Sequence, residues 1–343
     1  MVLQQLVKSN EYDFLRTNPH LGDNIVLLGV GGSVSYGTNT PDSDIDIRGI
    51  AINKKSDLLG LSNFEQVVET STDTTIYSLN KVFNLLLNCN PNTIELLGLK
   101  RAHYIYIDPI GQKLLDNANI FLSQKAIQSF GGYANQQLMR LKNNIARYSM
   151  AQAERELHIY HSIQNAMYEF HSRYRDFDDG EVILYLDKSD KEDMESEIFM
   201  DIVLKHYPLR DYKSLWAEMN NIVKDYAKLG KRNKKKDAAH MSKHMMHLLR
   251  LYMMCYDILI HQQIITYRAD EHDLLMSVRD GDYLHDGGQV KDEFWKLLDH
   301  YEERFNRAKE KTKLPVKPDY EKANSLLIEL NEMALLKECD KSE

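Results

Sequence analysis

The sequence predicts an α+β protein: a small mixed-sheet head flanked by helices, followed by a mainly α-helical domain. Three observations carry this reading. Short β-rich runs bounded by turn residues fill the chain before residue 110, and helical periodicity dominates after it. The composition of the 343 residues, 43% hydrophobic and 27% charged, supplies a sizeable core.

The strands of the head are read at NIVLLGV (24–30), DIDIRGIAI (44–52) and DTTIYS (73–78). The loop between the first two is dense in Gly, Ser, Thr, Asn and Pro. A helix follows at 78–89, where Val82, Phe83, Leu85, Leu86 and Leu87 form a broad apolar face closed by Asn90-Pro91. Beyond 110, a long helical pattern covers 122–174 with an interruption at Gly131-Gly132. Others cover 192–229 and 237–264, and a last pair at 290–311 and 319–337 is split by LPVKPD (314–319). EVILYLD (181–187) reads as a small strand. The expected domains are therefore 1–110 and 111–343.

The formal net charge of -8 argues against a protein that coats nucleic acid non-specifically, while leaving room for a local basic patch. Cys89, Cys255 and Cys339 lie far apart without metal-ligand spacing and read as free thiols in a reducing compartment. The N-terminus has no uninterrupted apolar core, and the apolar stretch around 245–265 is broken by Arg250, Asp257 and His261. A cytoplasmic protein with no membrane association is expected. Its oligomeric state is not written in the sequence.

The chemistry concentrates in VGGSVSYGTNTPDSDIDI (30–47). On a strand, side chains alternate, so Asp44 and Asp46 share a face while Ile45 and Ile47 point into the core. Two carboxylates on one face call for a cation between them. Mg²⁺ (or Mn²⁺) suits them, since it takes oxygen ligands and leaves positions for phosphate oxygens. Gly31 and Gly32 allow close backbone approach, successive N–H groups can cradle a triphosphate, and the Ser33 hydroxyl adds a donor. Each piece alone is usually a plain turn or a solvated strand face. Their coincidence, with ten residues between Ser33 and Asp44, points to nucleotide chemistry.

This stretch resembles the signature of the DNA polymerase beta-like nucleotidyltransferase superfamily: a hydrophobic residue, Gly-Ser, about ten residues, then Asp-x-Asp. Within it, GGSVSYGTNTPDSDIDIRGI is similar to a bacterial and phage group of predicted nucleotidyltransferases, with looser similarity in 73–97, 130–137 and 314–319. The resemblance implies a polymerase-beta-like head and a third carboxylate on a neighbouring strand, acting with the metals as general base. Asp73 is the best match, and Glu69 competes from four residues earlier on the same strand face. Arg48 could neutralise the carboxylates or touch a phosphate. Tyr36, Gly37, Thr38 and Ser43 line the intervening loop, where Tyr36 either stacks on a base or packs.

In the body, DAAHMSKHMMHLLRLYMMCYD (237–257) places His240, Lys243, His244, His247 and Arg250 within an arc of roughly 120° at 100° per residue. Met241, Met245, Leu248, Leu249 and Tyr252 cover much of the rest. Such a stripe suggests a partly buried face meeting an anion, so Lys243, His247 and Arg250 are candidate nucleotide contacts. Zinc binding by the three histidines and a solvated face are the alternatives. Upstream, KRNKKK (231–236) could guide a polynucleotide end, while Arg268 with Arg279 is too sparse to assign. Arg155 and His161 share a spacing with helical ribonuclease toxins.

The expected reaction is Mg²⁺-dependent transfer of a nucleoside monophosphate from an NTP to an acceptor hydroxyl, releasing pyrophosphate. Asp44, Asp46 and Asp73 would be the metal and catalytic residues, and Gly31, Gly32, Ser33, Tyr36, Gly37, Ser43 and Arg48 would bind nucleotide. An RNA end, a protein hydroxyl and a small molecule all fit as acceptor, with the basic helix favouring RNA. A catalytically silent, antitoxin-like nucleotide-binding module is the reading from a different class.

Overall fold

The computed structural model describes residues 2–41, 43–148, 182–188, 196–233, 238–286 and 288–340, together with residues 154, 157 and 160. The chain divides into two compact units. The first comprises 1–141, 242–285 and 290–343; the second comprises 142–241 with 286–289.

A five-stranded mixed sheet organises the first unit. Its strands are β1 (Ile25–Val30), β2 (Ile47–Ala51), β3 (Gln66–Glu69), β4 (Thr74–Ser78) and β5 (Tyr104–Ile107), in the order β3-β4-β2-β1-β5. β2 and β4 run parallel, with Ile47 opposite Thr74, and every other pairing is antiparallel. β1 is buried along its whole length, as its continuous apolar run requires. One face of the sheet packs Leu28, Val30, Ile47 and Ile76 against Tyr12, Leu15 and Leu21 from the N-terminal segment.

Among the described residues, eight helices have eight residues or more. They are α1 (Leu79–Leu86), α2 (Pro109–Asp116), α3 (Lys125–Tyr148), α4 (Tyr212–Asn233), α5 (Ala238–His261), α6 (His272–Asp280), α7 (Asp292–Lys311) and α8 (Tyr320–Asp340). Ser78 caps α1 by accepting from the Lys81 N–H, and Asp108 caps α2 by accepting from Gly111. α8 returns to the head, where Lys337 Nζ donates to Asp108 Oδ2 at 2.9 Å and Asn331 Nδ2 to Asn80 Oδ1 at 3.1 Å.

The expected α+β architecture is the observed one, with four local corrections. β2 begins at Ile47, so Asp44 and Asp46 precede the strand; the β1–β2 ladder ends at Val30–Ile47 and leaves them without a strand partner. Glu69 and Asp73 do not share a strand, because a hairpin turn separates β3 from β4 and pairs Glu69 with Thr74. α3 runs unbroken through Gly131-Gly132, where Gly131 lies against Phe305. Within the pattern expected as helix over 192–229, residues 196–202 form a strand, β7 (Ser196–Ile202), antiparallel to β6 (Val182–Lys188). Its alternation of Ile198, Met200 and Ile202 with Glu197, Phe199 and Asp201 is a period of two. No helix of the described residues is long and apolar enough to cross a membrane.

The join between α2 and β1 gives a test. A Cβ at Gly111 would lie 2.2 Å from the Val26 carbonyl oxygen, which is backbone and cannot step aside. Alanine normally stabilises a helix relative to glycine. Here Gly111→Ala should instead destabilise the protein by about 2 kcal/mol in urea unfolding; a stabilising substitution would show that the two backbones are not in contact.

Candidate functional site

The site is built where β1 ends. The Gly31 N–H donates to the Asp46 carbonyl at 2.8 Å, tying the end of β1 to the residue before β2. A single helical turn, Gly32–Tyr36, follows, and the N–H groups of such a first turn have no acceptor within the helix. Gly32 has φ +57, and a Cβ there would fall 1.6 Å from Asp46 Oδ2. No other residue type lets the carboxylate sit against this turn. Gly37 closes the turn at φ +78, with the Tyr267 ring where its Cβ would be. In the loop beyond, Thr40 N–H donates to Ser43 Oγ at 2.8 Å.

The parallel register of β2 and β4 sets Asp46 beside Asp73. Asp73 directly precedes β4 with φ 43, a left-handed conformation that aspartate tolerates better than most residues. Both carboxyl groups lie against one guanidinium nitrogen of Arg48. Burial, then the neighbouring Asp73 carboxyl, pushes Asp46 up to about 7, while Arg48 pulls against it. Asp73 is held below its usual range, first by Asp46 and then by Arg48. Arg48 Nη2 reaches Asp73 Oδ1 at 3.1 Å and Asp46 Oδ1 at 3.3 Å. Asp44 is exposed at the rim of the same cleft.

The cleft encloses about 440 Å³. Gly31, Gly32, Ser33, Ser43 and Arg48 line it on the head side, and Lys243, His247 and Arg250 of α5 line it with Arg279 of α6. Arg279 Nη2 donates to Ser43 Oγ at 3.1 Å, while its buried Nη1 has no partner among the described residues. Neither Lys243 nor Arg279 forms a salt bridge among those residues, so two cations face the acidic pair across the cleft.

Below this surface lies a buried polar cluster. Arg250 is 2% exposed, and its Nη1 bonds Glu95 Oε1 at 2.5 Å. The guanidinium carbon stacks 3.6 Å above the centre of the Tyr36 ring, and Tyr36 donates its hydroxyl to Glu95 Oε2 at 2.6 Å. Burial raises the Tyr36 hydroxyl well above its usual range, so it is a donor at all relevant pH. Arg250 Nη2 lies 3.4 Å from His247 Nδ1; a guanidinium only donates, so this nitrogen accepts and the ring is neutral. Removing Glu95 or Arg250 would strand the other's charge, which costs about 3–5 kcal/mol.

Of the residues singled out from the sequence, the cleft gathers Asp44, Asp46, Asp73, Gly31, Gly32, Ser33, Tyr36, Ser43, Arg48, Lys243, His247 and Arg250. Gly37 shapes the turn from outside it. The anion that Arg250 meets is internal, Glu95, and the Tyr36 ring packs beneath the guanidinium rather than standing open to a base. Arg48 touches the carboxylates. Glu69 bonds Ser71 in its own turn. Glu95 carries no motif and is not among the sequence candidates, and Arg279, too sparse a signal to assign from the sequence, lines the cleft beside Ser43. The apolar complement of the stripe, Met241, Met245, Leu248, Leu249 and Tyr252, is buried. Arg155, His161, residues 149–153 and 161–174 of the expected helix, residues 234–236 of the basic run and the His240 side chain lie outside the described residues.

The donor set suits a hard divalent cation: carboxylate oxygens at a position where Arg48 now offsets the charge. Among the described residues, no group of three His, Cys, Asp or Glu side chains is gathered as ready-made metal ligands. The histidines of α5 are engaged otherwise, His244 Nδ1 with Gln137 Oε1 at 3.2 Å and His247 with Arg250.

Residues 3–167 match the model of a family described as the RNA repair pathway DNA polymerase beta family (RlaP). No curated protein and no solved structure matches the chain.

His247 supplies a pH test. Burial, then Arg250 and Lys243, push it down from 6.5 to about 3, so it is neutral when folded and titrates near 6.5 when unfolded. Its neutral form's contribution is fully present above pH 6.5 and is lost as pH falls from there toward 3. The stability of the wild type minus that of His247→Gln should decline by about 1.4 kcal/mol per pH unit below pH 6 and stay flat above 7. A difference independent of pH would mean that His247 is protonated in the folded protein.

Proposed function

We propose, from the membership of residues 3–167 in a polymerase beta-like nucleotidyltransferase family, that this protein transfers a nucleoside monophosphate from an NTP to a hydroxyl at an RNA end. The observation that carries the reading is the Asp46–Asp73 pair, joined through Arg48, in a cleft of about 440 Å³ whose facing wall carries Lys243 and Arg279. An acidic pair opposite cations is what a metal–triphosphate complex requires, one wall for the cation and one for the phosphates. The family's description, an RNA repair pathway, supports RNA as the acceptor.

In this reading Asp46 and Asp73 would hold the divalent cation, Mg²⁺ or Mn²⁺, and Asp44 would have to move in from the rim to join them. When bound, the cation supplies Lewis-acid stabilisation of the charge that develops on the transferred phosphoryl group and on the leaving pyrophosphate. Asp73, already ionised, takes the proton of the acceptor hydroxyl as its oxygen attacks the α-phosphorus. The new P–O bond forms as the bond to the β-phosphate bridging oxygen breaks. Lys243, Arg279 and the Ser33 hydroxyl hold the β- and γ-phosphates in line with that attack. His247, being neutral, offers a hydrogen-bond donor without adding charge. Tyr36, Glu95 and Arg250 position the cleft floor and touch no substrate.

One observation favours a second reading. Asp44 stands outside the Asp46–Asp73 pair, so a module that binds nucleotide without turnover is the competitor. NTP binding with no labelled product on any acceptor would support it.

The direct assay offers each NTP labelled at the α-phosphate, with Mg²⁺, to total RNA, proteins and small molecules in parallel. Label should appear on RNA with stoichiometric pyrophosphate, and Asp46→Asn should lower the rate on the order of 10³-fold. Label landing on protein would move the acceptor; undiminished release by Asp46→Asn would overturn the site. Lys243→Ala and Arg279→Ala should each raise the KM for NTP about tenfold, the scale of one charged hydrogen bond, and an unchanged KM in both would remove the phosphate wall.

A further inference from the structure

Arg48 is placed in an unusual way. Its guanidinium is divided between two kinds of partner: Nη1 donates to the carbonyl oxygens of Ile47 (3.0 Å) and Asp73, while Nη2 lies 3.3 Å from Asp46 Oδ1 and 3.1 Å from Asp73 Oδ1. The carboxylate contacts are the longer ones. The side chain is 24% exposed and lines the cleft, and its stem lies where a Cβ on Gly31 would come within 3.1 Å. The glycine pair thus makes room for both Arg48 and the Asp46 carboxylate. With both carboxylates ionised, the pair carries two negative charges, and one guanidinium leaves a residue of one. A divalent ion would neutralise the pair by itself, and keeping Nη2 in place beside it would set like charges against each other.

We propose that Arg48 is the resident counter-cation of the Asp46–Asp73 pair, holding the two carboxylates together until a divalent cation displaces its Nη2. The carbonyl bonds at Nη1 then act as a hinge that keeps the freed guanidinium within the cleft. This rests on the reading of Asp46 and Asp73 as divalent-cation ligands. In this arrangement Arg48 sets the cation concentration at which the site fills, and it keeps the empty site from being an unscreened acidic pair.

The test is Mn²⁺ binding to the full-length protein at pH 8.5, where protons compete least, read by paramagnetic resonance and by calorimetry. Arg48→Gln should bind Mn²⁺ about tenfold more tightly than the wild type, the scale by which a neighbouring charge shifts an ionic equilibrium. Its thermal unfolding should fall below the wild type's without Mn²⁺ and rise further on saturation. Equal or weaker binding by a folded Arg48→Gln would overturn the proposal. If that variant does not fold, the wild type decides: the arginine Nε–H resonance missing from Arg48→Lys should shift on Mg²⁺ saturation, and an unmoved resonance overturns the proposal. Asp46→Asn separates this from its premise. Loss of Mn²⁺ binding in Asp46→Asn with no gain in Arg48→Gln contradicts Arg48 alone, whereas undiminished binding in Asp46→Asn removes the metal reading and the proposal with it.

Discussion

The parallel pairing of β2 with β4 is the constraint from which the rest of the site follows. Once Ile47 lies opposite Thr74, the residues just before each strand, Asp46 and Asp73, are neighbours whether or not their charges agree. Two neighbouring carboxylates demand a proton, a guanidinium or a metal ion. The fold supplies the second, in Arg48. Gly32 completes the arrangement by bringing the helical turn after β1 against Asp46, where any side chain would collide. Sheet register therefore sets up an electrostatic conflict, and the residues around it answer that conflict.

The opposite wall depends on a second buried interaction. Arg250 of α5 reaches through the core to Glu95, with the Tyr36 ring beneath it and the Tyr36 hydroxyl on the other Glu95 oxygen. This cluster joins α5 to the turn that carries Ser33, so Lys243 and the Gly-Gly-Ser turn are held on the same cleft as Asp46 and Asp73. Buried ion pairs gain little net stability once desolvation is counted, but they penalise every alternative arrangement heavily. Arg250, which by its spacing belongs to the basic stripe, thus spends its charge on Glu95 inside the fold.

Much of this was legible in the sequence. The continuous apolar run of β1, the Gly-Gly-Ser turn and the Asp-x-Asp spacing follow from local periodicity and turn chemistry, and they mark the residues that line one wall of the cleft. The buried complement of the α5 stripe was equally readable, because a helix reports its own faces. What escaped depends on partners remote in the chain. Nothing local to Glu95 announces a bond to Arg250, 155 positions away. Arg279 became a site residue only when α6 was brought to Ser43. Asp44 and Asp46 read as strand residues since they continue the alternation of β2, yet the ladder ends at Val30 and leaves them in the loop. β7 combines period-two alternation with residues that also favour helices, so its hairpin with β6 decided the outcome.

The most direct measurement of the central claim is a crystal structure with Mn²⁺ and a non-hydrolysable NTP analogue, read by anomalous scattering at the manganese edge. The account predicts an anomalous peak within coordination distance of Asp46 and Asp73, Arg48 Nη2 withdrawn from both, and the triphosphate against Lys243 and Arg279. A bound analogue with no peak at the carboxylate pair, or with Arg48 still seated on it, would contradict the account.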